Sequence, residues 1–215
     1  MDTRGLLWLV GNGSQDEFHQ ALEQLDDGNN RYSELLEIIA ESSNNRILFC
    51  CLEILIKRYA VQLQNDADVV IPLLLTCLML DDGPVVDRAG RALNLLDKPG
   101  IEALLSAISA SPDTAAAANY SGSLRSNSNV FLAAKQVLDL LGKQLDSPNE
   151  KVRYWAMIVL MDISPLRSWF DSRIQASLFE PLCDKLMIVA HAFRGIRDYD
   201  EWAAQYEDLL TQHLS

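Results

Sequence analysis

The feature that most constrains this chain is a helical pattern that repeats with a period of about 30 to 40 residues. Apolar residues recur at spacings of three and four, as in Leu35-Leu36-x-Ile38-Ile39, which is typical of α-helices. A shift from position 47 to position 85 superimposes two such stripes: Ile47, Cys51 and Leu55 fall on Val85, Ala89 and Leu93. A further shift from 85 to 152 places the second stripe on Val152, Ala156 and Leu160. The unit is therefore a helix pair that is used several times.

Turn and N-cap residues divide the chain at regular intervals, as at Ser42-Ser43-Asn44-Asn45 and Asp81-Asp82-Gly83-Pro84. They predict about ten or eleven helices, and no segment reads as a strand pair. We expect a single domain over 1–215: an N-terminal cap pair in 1–28, four repeats in 29–165 and a C-terminal cap pair in 166–215. Within the repeats, 109–129 is rich in Ser and Ala, so we expect it to be irregular, either a loop or a degenerate helix, and the least well packed segment.

Two segments resemble a known repeat family. Asn149-Glu150-Lys151-Val152-Arg153-Tyr154-Trp155-Ala156 resembles the second-helix signature of HEAT/armadillo-type repeats, and 85–105 is similar to the short HEAT-like repeats of the phycobilin-lyase type. The resemblance implies an all-α, right-handed α-solenoid that serves as a protein-binding scaffold. The chain departs from the signature where Leu48 and Val86 replace its Arg, and where Ser121-Gly122-Ser123 interrupts the second helix of the third repeat.

Composition narrows the classes of partner. The 215 residues include 30 Asp and Glu against 18 Lys and Arg, a net charge of −12. This acidity argues against nucleic acid, whose affinity comes from clustered Lys and Arg. The apolar stretches are too short to span a membrane, and Leu6–Val10 is too short for a signal peptide, so we expect a cytoplasmic protein whose partner is another protein or peptide.

Chemistry-bearing residues are sparse. His19, His191 and His213 lack the spacing of a metal site, and the four Cys form neither a disulfide framework nor a C-x-x-C motif. We therefore predict no catalytic residue, no metal and no cofactor. Cys51 occupies the small repeat position of Ala89 and Ala156, which indicates a buried core residue, whereas Cys50 is the thiol that we expect to be exposed.

The second helices of the repeats carry a candidate binding surface, which we call the basic ridge. Off the apolar stripes it holds five bases and two acids, a charge of +3: Arg46, Lys57, Arg88, Arg91 and Lys151 against Glu53 and Asp162. Arg88 and Arg91 are three residues apart, and we expect both to be exposed. Such a ridge suits an acidic or carboxylate-bearing segment, while the acidic remainder of the chain suits a basic partner.

Tyr154 and Trp155 complete the candidate partner-binding residues. At least one is expected to face outward, where large aromatic residues are typical contact anchors. The alternative is that Trp155 packs beneath a turn formed by Trp169 and Phe170. Both interpretations stay open at this point.

The main functional hypothesis is a non-catalytic scaffold that binds protein through the concave face of the repeats. Two alternatives stand beside it. A relative of the phycobilin lyases or of phycobilisome-degradation factors would handle a bilin or phycobiliprotein, with Arg88 and Arg91 clamping the two propionates of the tetrapyrrole. An acidic immunity-type protein would neutralise a basic toxin. A DNA-repair HEAT protein is disfavoured, because it would need a far more basic groove.

Overall fold

A computed structural model of the chain describes residues 2–25, 30–125, 127–166 and 176–214. Every regular element in these ranges is helical, which confirms the all-α prediction. None of the helices described there is long and apolar enough to cross a membrane. The chain forms two compact units, unit 1 over Met1–Gly100 and unit 2 over Ile101–Ser215. A single array over 1–215 stays a prediction.

Unit 1 is built from helices that mostly follow the expected pairs. Their bounds are α1 Thr3–Asn12, α2 Gln15–Leu25, α3 Tyr32–Glu41, α4 Asn45–Arg58, α5 Ala60–Asn65, α6 Ala67–Cys77 and α7 Gly83–Leu95. The predicted N-terminal pair corresponds to α1 and α2, which pack on each other. The chain between α4 and α6 breaks at Tyr59 and at Asp66, which adds the short helix α5. The described part of the chain holds more helices than the ten or eleven expected, and α5 is one of the additional ones.

Unit 2 begins at Ile101, inside helix α8. Its elements are α8 Asp97–Ala110, α9 Ala115–Leu124, a 3-10 turn at Ser128–Ala133, α10 Ala134–Gln144, α11 Glu150–Ile163, α12 Ala176–Phe179, a 3-10 turn at Glu180–Leu182, α13 Cys183–Phe193 and α14 Asp200–Leu214. The predicted C-terminal pair, 166–215, includes residues 167–175, which lie outside the described residues. Its described parts, α13 and α14, pack against each other.

The second helices of the predicted repeats begin at side-chain caps as well as carrying apolar stripes. The carboxamide oxygen of Asn44 accepts from the backbone N–H groups of Arg46 and Ile47 at the start of α4. The same position before each later second helix carries Asp82, Thr114 or Asn149, and each of these side chains also accepts from the first turn of its helix. A side-chain N-cap contributes about 1 kcal/mol, so the caps determine where the second helices begin.

The second helices pack on one another within each unit: α4 against α7 in unit 1, and α9 against α11 in unit 2. At the small position of these second helices, Cys51, Ala89 and Ala156 are all fully buried. The prediction that Cys51 is a small core residue is thereby confirmed.

The prediction that Ser121-Gly122-Ser123 interrupts a helix is wrong. Helix α9 runs through all three residues, and both serine side chains are buried. Ser121 Oγ donates to Gln144 Oε1 at 2.8 Å, and Ser123 Oγ donates to the carbonyl oxygen of Asn119 at 2.8 Å. Because the hydroxyl groups have partners inside unit 2, their burial does not cost the free energy of unpaired polar groups.

Candidate functional site

Unit 2 contains a cavity of about 380 Å³ lined by α9, α11 and the chain entering α14. We call it the aromatic cavity, since four of its nine lining residues carry aromatic rings. The lining comprises Asn119, Arg125, Lys151, Tyr154, Trp155, Ile158, Asp198, Tyr199 and Trp202. The structure therefore brings three of the predicted binding residues, Lys151, Tyr154 and Trp155, into one site.

Helix α11 places its lining residues on one face. Lys151, Tyr154, Trp155 and Ile158 follow one another at spacings of three, one and three residues, so they share one side of the helix. The cap at Asn149 fixes the first turn, which carries Lys151. Lys151 is exposed, whereas Tyr154 and Ile158 are buried. The face therefore runs from a charged rim to an apolar floor.

The indole of Trp155 packs against the small residues of α9. It lies over a buried cluster of Ala117, Ala118 and Val152, and a methyl group at Gly122 would lie 3.2 Å from the Trp155 ring. Trp169 and Phe170, the alternative packing partners, lie outside the described residues. The alanine-rich composition of this segment thus has a packing role, which is to admit a large ring.

Tyr154 sits in an aromatic cluster. Its ring centroid lies 4.3 Å from that of Tyr199 and 5.5 Å from that of Phe193, the latter in an edge-to-face arrangement. Burial raises the pKa of the Tyr154 hydroxyl. With 8% of its surface exposed, Tyr154 does not face outward. The expectation that Tyr154 or Trp155 projects outward is met only in part, because Trp155 is half-buried at the cavity.

A buried carboxylate holds Arg125 in the lining. Arg125 Nε donates to Asp162 Oδ2, and the hydroxyl of Tyr206 donates to Asp162 Oδ1 at 3.0 Å. The Arg125 guanidinium also lies over the ring of Trp202, 5.1 Å from its centroid. Asp162 was predicted to lie on the basic ridge, but it is buried in the core of unit 2, where it links α9, α11 and α14. That prediction is wrong.

Three of the four bases of the basic ridge in unit 1 form ion pairs with neighbouring carboxylates. Lys57 Nζ lies 2.9 Å from Glu53 Oε1, and Arg91 Nε lies 3.1 Å from Asp87 Oδ2, both pairs one helical turn apart. Arg88 bonds both Glu53 and Asp87. Two carboxylates, Glu53 and Asp87, are thus shared among three of the four unit 1 bases that were predicted to attract an acidic partner, and they lower the charge of this group from +4 to +2.

Arg88 is also less accessible than predicted. Only 21% of its side chain is exposed, because its guanidinium lies between Glu53 and Asp87 and over the ring of Phe49, 5.0 Å from the centroid. The prediction that both arginines are exposed is therefore wrong for Arg88, while Arg91 is exposed as expected.

Cys50 lines a second cavity, of about 340 Å³, in unit 1. Phe18, Phe49 and Cys50 contribute to its lining, and Arg46 stacks over Phe18 at 4.3 Å from the ring centroid. Cys50 is buried, and this burial raises the pKa of its thiol to about 11. The expectation of an exposed thiol at Cys50 is therefore wrong.

The histidines are dispersed. His19 packs edge-on against Phe18, His191 Nδ1 lies 2.9 Å from Glu207 Oε1, and His213 is exposed on the last turn of α14. Across the described ranges, no group of three or more His, Cys, Asp or Glu side chains is arranged to hold a metal ion.

Sequence reasoning missed most of the aromatic cavity. Arg125 lies far along the chain from Tyr199 and Trp202, and all three lie outside the repeat stripes, so periodicity did not select them. The signal that was available is the spacing of Tyr199 and Trp202, three residues apart at the start of a helix, which places two rings on one face.

The sequence was also compared with known proteins. No protein-family model matches the chain, and no curated protein matches it.

Proposed function

We propose that the protein is a non-catalytic binding module that receives a side chain of a partner protein in the aromatic cavity of unit 2. The observation that carries this proposal is the convergence of four aromatic side chains from α11 and the chain around the start of α14 on one concave site. Pockets with apolar walls and a few charged groups at the rim are the usual form of ligand sites, and Tyr and Trp dominate the binding energy of protein interfaces.

The proposal extends to the architecture. The packing of α3 on α4, of α6 on α7 and of α10 on α11 supports HEAT-like helix pairs, and the packing of α4 on α7 and of α9 on α11 joins neighbouring pairs within each unit. We propose that these pairs belong to a right-handed α-solenoid. We propose that the protein meets its partner in the cytoplasm.

The bilin alternative gains no support from Arg88 and Arg91. Their proposed role was to clamp two propionates, but Arg88 bonds Glu53 and Asp87, and Arg91 also pairs with Asp87. A clamp would have to break these ion pairs first.

A peptide-display selection on the full-length protein tests the proposal. The affinity of the selected peptides is then measured for three proteins: the wild type, a Lys151→Trp variant that fills the rim of the aromatic cavity, and a Tyr199→Ala variant that removes one of its walls. Lys151 is exposed, so the first variant keeps the core intact. We expect both variants to weaken binding at least about tenfold, since an anchoring aromatic contact is worth about 2 kcal/mol.

The matched control is Trp8→Ala, which removes an aromatic side chain with 60% of its surface exposed in unit 1. This variant should bind the selected peptides like the wild type. Thermal melts establish that each variant is folded. Peptides that bind all variants equally, or a selection that yields no peptide, would refute the proposed function.

A further inference from the structure

We propose that the aromatic cavity receives a cation, namely the guanidinium group of an arginine in a basic segment of the partner protein. This inference rests on the binding function proposed above and specifies the chemistry of its ligand.

Aromatic faces are the first reason. A guanidinium within about 6 Å of a Trp or Tyr ring centroid is attracted by the negative face of the ring. The cavity already contains one such contact, the guanidinium of Arg125 at 5.1 Å from the centroid of Trp202. Tyr199 and Trp155 are half-buried in the same lining. The walls therefore have the ring chemistry that binds a second, external guanidinium.

The charges around these rings are the second reason. Arg125 is compensated by Asp162, so it adds little net charge to the site. The cavity lining includes Asp198, and two further exposed carboxylates stand close enough to act on its tyrosines: Glu150 on Tyr199 and Glu201 on Tyr154. Lys151 is the one other cation of the lining. Within the lining Lys151 and Asp198 balance each other, and Glu150 and Glu201 beside the lining add negative charge that favours a cationic ligand.

The net charge of −12 acts in the same direction over a longer range. An acidic protein attracts a basic segment and speeds its encounter with the site, more strongly at low salt. The alternative ligand is the carboxylate-bearing segment that the basic ridge predicted around Lys151. The two ligands differ in the sign of one effect: removal of the Lys151 charge strengthens the binding of a cation and weakens the binding of a carboxylate.

The test uses three pentapeptides of the form acetyl-Gly-Gly-X-Gly-Gly-amide, where X is arginine, citrulline or glutamate. Citrulline is the neutral isostere of arginine, so this pair isolates the charge. Binding to the full chain is followed by the NMR signals of the Trp155 and Trp202 indole N–H groups, with that of Trp8 as an internal reference. We expect the arginine peptide to bind roughly threefold to tenfold more tightly than the citrulline peptide.

Two charge variants and a matched control complete the test. Asp198→Asn should weaken the arginine peptide by about twofold to fivefold, and Lys151→Ala should strengthen it by about twofold. Asp139→Asn removes an exposed carboxylate of α10 that is not in the lining, and it should leave binding unchanged.

The outcomes separate this inference from the proposed function. Equal affinities for the arginine and citrulline peptides overturn the inference. Binding of the glutamate peptide, weakened by Lys151→Ala, also overturns it, but leaves the aromatic cavity as a binding site. Library peptides that fail to depend on Tyr199 or Lys151 refute the proposed function itself.

Discussion

The basic ridge of unit 1 and the aromatic cavity of unit 2 are both candidate binding surfaces, but their arginines have different kinds of partners. On the ridge, Lys57 and Arg91 pair with carboxylates one turn away on the same helix, and Arg88 bonds carboxylates of α4 and α7. In the cavity, Arg125 is held from behind by buried Asp162, while rings from separate helices form the walls. Basic side chains on an exposed helix surface readily form ion pairs with carboxylates one turn away. A concave aromatic site instead keeps exposed ring surface that a ligand can contact.

We expect the largest difference between the two regions in the free energy of unfolding, on removal of the carboxylates that bind these arginines: Asp162 for Arg125 and Glu53 for Arg88. Asp162→Ala should lower the free energy of unfolding by about 3 kcal/mol, because it removes the acceptor that the buried Tyr206 hydroxyl bonds and the carboxylate partner of Arg125. Glu53→Ala should cost less than about 1 kcal/mol, since its side chain is 26% exposed against 9% for Asp162. Denaturant titrations measure both, and equal losses would contradict the distinction between the two regions.

The next effect concerns the small position that both units share. Ala89→Leu in unit 1 and Ala156→Leu in unit 2 should each lower the free energy of unfolding by about 1–3 kcal/mol, because both sites are fully buried where helices pack closely. Cys51→Ala should cost less than about 1 kcal/mol, since alanine occupies the corresponding buried positions 89 and 156 of α7 and α11. Chemical denaturation checks the three variants. A Cys51→Ala variant that stays stable but loses binding would instead indicate a chemical role for the thiol.

Charge reversal on the ridge should have a smaller effect. The double variant Arg88→Glu, Arg91→Glu places two new carboxylates beside Glu53 and Asp87, so we expect a loss of about 1 kcal/mol that shrinks as salt is added. Binding of cavity-dependent peptides should not change. If the double variant keeps its stability and loses peptide binding tenfold, the ridge is the binding surface, as the sequence pattern predicted.

The smallest effect concerns the buried thiols. Burial raises the pKa of Cys50 and of Cys77 to about 11 from a usual value of 9.0, so both stay protonated in the folded chain at pH 8. Alkylation by iodoacetamide should be slow at pH 8 and should accelerate only as the pH approaches 11. Because the folded state binds more protons than the unfolded state between about pH 9 and 11, the free energy of unfolding should fall over that window. Rapid alkylation of Cys50 at pH 8 would contradict its burial.

Local patterns predicted much of the helical framework. The apolar stripe of Val85, Ala89 and Leu93 and the cap at Asp82 are short-range features, because a helix repeats its face every three or four residues and its cap bonds within one turn. The same reasoning failed at Ser121 and Ser123. Their helix propensity is modest, but Gln144, far along the chain, accepts a hydrogen bond from Ser121 and so favours its burial.

The sequence by itself determined the all-helical class, the register of the second helices and the small residues at their contacts, since all of these follow from spacings within a few turns. Only the tertiary structure decided that Arg88 is enclosed by carboxylates, that Asp162 is buried, and that Tyr154 and Trp155 share a cavity with Arg125, Tyr199 and Trp202. Those arrangements depend on which helices pack together. The exposure and the partners of these side chains depend on residues distant in the chain, so spacings within a few helical turns do not predict them.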